Sequence, residues 1–523
     1  MARTMATTSD AAMRKKTPLH VSIFLIHDTS LAAMKFRLPS LFASFAAGAL
    51  AVAGFAPLSW WPLAILSLAA LFALAARADG WRAGFKLGFA YGLGLFLVGV
   101  SWIYVSLSVY GGMAPWLAAL AVLLFAAYLA LWPALAAALV AGTRGVATWR
   151  LVVFAPAAWV LTEWARGWVF TGFPWLGLGY PQVAGPLGGF APLLGTYGVS
   201  WLAALVAGLL AWGSGARHRR VAQVAAAVVL VAGAALRAVA WTTPAGAPTT
   251  VALLQGNVPQ DMKWLPEKTR ETLELYLRLA RQARARLIVL PETALPLFER
   301  QLPHAVREEF AAIGRANGGD VLIGLPTGDV AADYYNSVLS LGASASQRYH
   351  KVHLVPFGEY IPLKPLFGWI LEVLHIPLSD FTRGAPGQPP LAVGGQKVAA
   401  DICYEDTFGE EIVRPLPEAT ALVNVSNLAW FGDTLAPWQH LQMSQMRALE
   451  TGRMMLRATN TGATAIVDRD GRLISQLPLF ETGILRGEMQ GYAGATPYAR
   501  WGNAPVLALL FALAGVAAWA TRR

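Results

Sequence analysis

Between residues 39 and 241 the chain is a succession of apolar stretches, each near the ~20 residues a helix needs to cross a bilayer. They fall near 39–56, 60–77, 85–106, 115–141, 150–167, 194–213 and 220–241, with an eighth near 503–520. A chain patterned this way is confined to a multi-pass helical membrane domain of about eight transmembrane helices, holding whatever lies between the seventh and eighth segments. Composition agrees: 56% of residues are hydrophobic and 14% charged, and the mean hydropathy is +0.48.

The net charge of +11 points to the membrane and away from nucleic acid, because the basic residues fall largely in short loops beside the apolar segments. Arg77, Arg82 and Lys86, then Arg144 and Arg150, then Arg217, Arg219 and Arg220, and finally Arg522 and Arg523 mark one side. The intervening loops 56–61 and 109–113 carry no lysine or arginine. The positive-inside rule then places both termini in the cytosol and residues 242–502 outside. Residues 1–38 read as a disordered or cytosolic tail, or an over-extended start; they hold no clear signal peptide, so the first segment serves as an uncleaved anchor.

Within the fifth segment, Glu163 and Arg166 sit where charge is costly unless paired or wet. An ion pair three residues apart on one helix face and a functional pair are both open. The aromatic, charge-free loop 168–193 reads as packing beneath the outer domain.

Residues 250–490 alternate strands, near 250–256, 286–291, 321–325, 337–341, 348–354, 397–402, 420–426 and 463–468, with amphipathic helices at 266–284, 304–317 and 436–451. That alternation is the pattern of an α/β layered domain. It contains no GxGxxG, P-loop or HExxH. His350 and His353 flank Lys351, but on a strand that spacing sends them to opposite faces, which disfavours metal binding.

The single cysteine of the chain, Cys403, follows the apolar run 397–400 and precedes Tyr404, Glu405 and Asp406. Alone, a free cysteine is more often a small core residue than a nucleophile. Two further strand ends change that balance: Glu292, bracketed by Pro291 and Pro296, and Lys351, running into a Pro/Gly turn that ends at Glu359 and Tyr360. A thiol needs a base or a neighbouring cation to act at neutral pH, and a lysine ammonium also stabilises a tetrahedral oxyanion. A lone cysteine forms no intramolecular disulfide, which suits an oxidising compartment.

Just beyond Glu359, the stretch Pro362–Pro377 is strongly apolar yet too short to cross a bilayer. With Phe367, Trp369, Ile370, Leu371 and Leu374 punctuated by Pro and Gly, it reads as a lid dipping into the lipid surface rather than as core.

Glu, Lys and Cys on successive strand ends resemble the nitrilase, or carbon–nitrogen hydrolase, superfamily. The wording is closer to its membrane-bound branch, the apolipoprotein N-acyltransferases. The resemblance rests on Leu254–Gln260 with Lys263-Trp264, Pro291-Glu292 and Lys351–Glu359. It continues in Cys403-Tyr404-Glu405, Trp430–Asp433, Pro437–His440 and Arg457–Gly462, so it spans all but the N-terminal tail. One departure is Leu428, where many relatives are expected to carry aspartate.

The resemblance, and not the periodicity, implies an α-β-β-α sandwich at 242–502, outside a seven-span domain at 39–241, with residues 503–523 forming a last helix and tail. It also implies an inner-membrane enzyme with a periplasmic catalytic domain. Cys403 would take an acyl chain from a phospholipid as a thioester, then pass it to the α-amine of an S-diacylglyceryl-cysteine on a lipoprotein. Glu292 would be the base and Lys351 the oxyanion stabiliser, with Glu359, Tyr404 and Glu405 in support. Trp264, Trp369 and Leu371 would contact the acyl chain. No cofactor or metal is called for, and the chain is expected to act as a monomer. A membrane-anchored amidase with water as acceptor, and a non-enzymatic lipid transporter, are the rival readings.

Overall fold

The computed structural model describes residues 38–520 apart from 144, 216, 330–331, 363–364 and 366–379. The lid stretch, with Trp369 and Leu371, therefore lies almost wholly outside the described residues, as does the N-terminal tail up to residue 37.

Each predicted apolar segment corresponds to helix. The N-terminal set is α1 (Leu38–Gly54), α2 (Trp61–Ala76), α3 (Gly80–Gly99), α4 (Pro115–Gly142), α5 (Ala155–Arg166), α6 (Ala191–Trp212) and α7 (Arg219–Leu236). Length and apolarity qualify α4, α7 and the Pro186–Trp212 stretch containing α6 to cross a membrane. A fourth qualifies if α3 and Ile103–Tyr110, bent by 59° at a short break, form one span. Helices α1 and α2 are apolar but shorter. The fifth segment is a π-turn at Trp149–Phe154 running into a 12-residue helix. Eight crossings are thus not established by helix length and composition among the described residues.

Small residues set how closely this bundle packs. Gly84, Gly88 and Gly92 recur every four residues, on one face of α3, and a methyl group at each would collide with α4 at Ala137 or Ala141, at Pro133, and at Ala130. Close approach through small residues is how apolar helices gain packing where burial from water contributes little.

The outer domain is two six-stranded sheets. The first has strands β1 (Thr243–Gln255), β2 (Leu287–Val289), β3 (Asp320–Gly328), β4 (Tyr334–Gly342) and β5 (Arg348–His350). The second has β6 (Leu391–Val393), β7 (Gln396–Ile402), β8 (Ala421–Ser426), β9 (Met455–Thr459), β10 (Ala465–Val467) and β11 (Leu473–Gln476). Strand β12 (Gly483–Ala493) returns to the edge of the first. Their orders are β12-β1-β2-β3-β4-β5 and β11-β10-β9-β8-β7-β6. The sheets pack face to face: Val251, Leu253, Val289 and Leu322 meet Val398, Ile402, Val425 and Leu456 in one core. Burying each such side chain fully is worth about 1.5–3 kcal/mol. The helices α8 (Pro266–Ala283) and α9 (His304–Ala316) cover the outer face of the first sheet. The second is covered by α10 (Ala436–Thr451), completing an α-β-β-α sandwich. A final apolar helix, α11 (Ala504–Ala520), leaves the domain.

Helix α10 is wedged between the two halves. Its Leu441 and Ala448 face the second sheet, while Met443, Met446 and Leu449 join the core of the membrane helices. The sequence suggests an amphipathic helix here, but fourteen of its sixteen residues are buried, because both of its faces are packed and its polar side chains are bonded inside the protein.

Two details differ from the expectation. The strand predicted at 348–354 stops at His350, and the Lys351 amide makes a last bond to the Asn336 carbonyl at 2.8 Å in the same register before the chain leaves the sheet. Strands β6, β9, β11 and β12 were not anticipated: β9 carries a fully buried Arg457 at its centre, and β12 is interrupted by Gly487 and Gly491, so neither shows a clean apolar alternation.

Candidate active site

The central strands of both sheets run parallel: β1, β2 and β3 in one, β7, β8 and β9 in the other. Their carboxyl ends therefore open on one side, where side chains from several connections converge. Beyond β2 comes Glu292, 7% exposed. Beyond β5 comes Lys351, 1% exposed, and beyond β7 comes Cys403, partly exposed.

Glu292 is clamped from several directions. Its Oε1 accepts from Asn336 Nδ2 at 2.8 Å and faces Lys351 Nζ at 3.4 Å. Its Oε2 accepts the Asn427 backbone amide at 2.8 Å. Asn427 is aimed by its own side chain, which donates to Gln260 at 2.8 Å and accepts from Asn460 at 3.1 Å. The next residue, Thr293, adopts a left-handed φ of 43°. Lys263 Nζ holds this turn, donating to Thr293 Oγ1 at 2.5 Å and to the Glu292 carbonyl at 3.2 Å. Burial draws the Lys263 ammonium down to about 8, against the pull of Glu292 and Cys403.

Lys351 is shared between two carboxylates, with Glu359 at 2.9 Å on its other side. Burial alone would lower its pKa, but Glu359 and Glu292 outweigh that and hold it above the ordinary lysine value. It stays an ammonium at neutral pH. Asn336 Nδ2 also donates to Glu359 Oε1 at 2.9 Å, so one amide keeps both carboxylates in register with the lysine. Glu359 Oε2 accepts the Val355 amide at 2.8 Å, closing its own loop.

Cys403 itself has φ 56°, a conformation rare for a non-glycine residue and common at functional turns. Burial pushes its thiol well up, Glu292 adds to the shift, and Lys351 opposes it. The resting group is therefore a thiol, with a carboxylate and an ammonium pulling its proton affinity in opposite directions.

Glu405 does not reach Lys351 through a hydrogen bond. It braces the turn instead: Oε2 accepts Ile402 N at 2.7 Å, and Oε1 accepts Val352 N at 2.6 Å and His353 N at 3.0 Å. The Tyr349 hydroxyl donates to it at 3.1 Å. The cysteine turn is thereby tied to the chain just after the lysine. Tyr404 points to the membrane half, donating to the Gly172 carbonyl at 3.0 Å and stacking on Phe173. His353 reaches the Thr171 carbonyl at 3.0 Å, while His350 faces Ser337 at 2.8 Å, so the two histidines serve separate contacts. Trp264 is half-buried beside Lys263. In the helical half, Arg166 donates to the Phe173 and Trp175 carbonyls at 2.6 Å each, and Glu163 accepts from Ser200 at 2.5 Å and Leu178 N at 2.9 Å. Both charges anchor the loop under the site.

Sequence reasoning missed Asn336, the Asn427 amide and the anchoring role of Lys263. The signal for Asn336 is a polar pair, Asn336-Ser337, both buried in β4 just before the apolar Val338 and Leu339.

Residues 47–209 match the family model of the apolipoprotein N-acyltransferase N-terminal domain, and residues 250–498 match that of the carbon–nitrogen hydrolases. The apolipoprotein N-acyltransferase of Nitrosomonas europaea is 51% identical over 489 residues, covering 92% of this chain and 98% of that protein. That of Methylococcus capsulatus is 50% identical over 468 residues, covering 88% and 92%. The chain belongs to the apolipoprotein N-acyltransferase family.

Apolipoprotein N-acyltransferase membership accounts for two matched regions in one chain, an N-terminal helical part and a carbon–nitrogen hydrolase part, which here meet along α10. An amidase of the nitrilase superfamily from Nesterenkonia AN1 aligns with 50% of this chain and 97% of its own, at 20% identity and a TM-score of 0.37, a likeness too distant to argue from.

Proposed function

We propose that this protein transfers an acyl chain from a membrane phospholipid, through a thioester on Cys403, to the α-amine of the N-terminal S-diacylglyceryl-cysteine of an apolipoprotein. The observation that carries this reading is that Glu292 and Lys351, 3.4 Å apart, meet at the strand ends where the Cys403 turn also emerges, over the apolar helical domain.

In the first half-reaction Glu292 takes the thiol proton as sulfur attacks the phospholipid ester carbonyl. The Lys351 ammonium stabilises the oxyanion. Collapse expels the lysophospholipid alkoxide, which takes the proton back from Glu292, and the acyl group stays on sulfur. In the second half the lipoprotein amine attacks the thioester, Glu292 takes the amine proton, and the thiolate leaves and recovers it. Atoms and protons balance without a cofactor.

Glu359 and Asn336 hold the lysine and base in place, and Glu405 and Tyr404 hold the turn. Trp264, with Trp369 and Leu371 of the 362–377 lid, would receive the acyl chain. Residues 39–241 and 503–520 would supply eight spans in an inner membrane, with 242–502 in the periplasm. Amine in place of water as acceptor fits a site set against apolar helices, since water exclusion protects a thioester. The test is purified full-length protein given phospholipid and a diacylglyceryl-cysteine peptide. A peptide heavier by one acyl group is expected; fatty acid release with the peptide unmodified would identify a hydrolase instead.

A further inference from the structure

Behind the thiol lies a buried polar cluster that the chemistry above does not use. His440 on α10 is 1% exposed, and Arg457 on β9 directs Nη2 at its Nδ1 over 2.8 Å. A guanidinium only donates, so Nδ1 accepts and the ring proton sits on Nε2. Burial, and after it the Arg457 charge, keep the imidazole below its ordinary pKa, as a neutral ring. The Nε2–H therefore donates to Asp406 Oδ1 at 2.6 Å and to the Cys403 carbonyl at 3.1 Å. Asp406 is fixed in turn by Ser444 Oγ at 2.5 Å and Arg457 Nη1 at 3.1 Å. Asn424 Nδ2 reaches the same Cys403 carbonyl at 3.1 Å.

The preceding residue, Gln439, accepts Trp175 Nε1 at 2.6 Å and Trp102 Nε1 at 3.2 Å. The helix carrying His440 is thus clamped by the membrane half, with Trp102 at the break that follows α3. A left-handed cysteine persists only where its surroundings over-determine it. Here two donors on its carbonyl do so.

We propose that His440 is a positioning residue for Cys403: its Nε2–H, placed by Arg457, holds the Cys403 carbonyl and so keeps the strained turn that aims the thiol at Glu292 and Lys351. This rests on Cys403 being the nucleophile, but it makes a separate claim about which atom holds the turn.

Glutamine at this position puts an amide N–H close to where Nε2–H was, and asparagine puts one close to Nδ1. Full-length protein in detergent is compared as wild type, His440→Gln, His440→Asn and His440→Phe. Two rates are read by mass: alkylation of Cys403, the single cysteine, by iodoacetamide, and acyl-enzyme formation from phospholipid–detergent mixed micelles. Melting temperature is followed in parallel. Both rates should fall about tenfold to a hundredfold in His440→Asn and His440→Phe, with the half-saturating phospholipid concentration unchanged, as for a misplaced reacting group. His440→Gln should recover most of the loss. Equal rates in His440→Gln and His440→Asn, or an undiminished His440→Phe, would overturn the proposal; if His440→Phe does not fold, the other pair decides. If the wild type is alkylated but takes up no acyl group, the acyl-transfer reading fails while the alkylation series still decides the role of His440.

Discussion

Glu292 accepts the backbone amide of Asn427 at 2.8 Å, so the carboxylate proposed as base, at the end of one sheet, is held by the end of the other. Because that donor is main chain, it cannot be lost to a side-chain change, and it leaves Glu292 one oxygen bound and the other turned to Lys351 and Asn336. Both oxygens meet only donors. A carboxylate satisfies such a pocket and an amide does not.

Glu292→Gln should therefore lose more than its basicity, since its NH2 would confront either the Asn427 amide or the Lys351 ammonium. Acyl-enzyme formation should drop by ~10²–10⁴, read as acyl mass on the protein. A loss smaller than tenfold would place the base elsewhere.

Asn336 makes a subtler prediction. Its one amide nitrogen serves both Glu292 and Glu359, keeping two like charges apart around a single ammonium. Asn336→Leu fills a similar volume without a donor. It should destabilise the protein by about 1.5–3 kcal/mol, the usual cost of losing a buried hydrogen bond to a charge, and slow acylation by about tenfold. Thermal melting and single-turnover acylation check the two separately, and an unchanged rate at a lowered melting temperature would make Asn336 structural only.

Glu405 gives a pH signature. Burial holds its carboxyl up at about 7, against the counter-pull of Lys351 and three backbone amides, whereas in an unfolded chain it titrates near ~4.3. Between those values the folded chain keeps a proton that the unfolded chain has released. This group thus adds stability at low pH, and the contribution is lost as pH rises through about 7. Activity should run the other way, because the amides of Val352, His353 and Ile402 all donate to the carboxylate. Acylation should climb with a midpoint near 7 while melting temperature declines over the same range. Glu405→Gln should remove this group's share of the stability slope.

Much of this was legible in the sequence because each feature sits on a strong local signal. The apolar lengths mark the helices, and the strand expected at 397–402 before Cys403 ends where β7 ends, at Ile402. Glu292 and Lys351 stand next to prolines and turns that stop their strands. What escaped was partnership across the fold. Asn427 contributes a main-chain amide, which no residue type announces. Arg457 sits mid-strand with its guanidinium fully buried, its terminal nitrogens bonded to His440, Asp406, Asn424 and Ser444, a set drawn from three segments. The sequence offers Glu405 only as a supporting carboxylate beside Glu359, with nothing to say which groups it meets. The backbone amides around it show it bracing the turn.

The central claim is that acyl transfer passes through sulfur, and intact mass of the protein after exposure to phospholipid alone tests it most directly. Wild-type protein should gain one acyl group, removable by hydroxylamine, on the single cysteine, and Cys403→Ala should gain none. A Cys403→Ala protein that still acylates a diacylglyceryl-cysteine peptide would contradict the account.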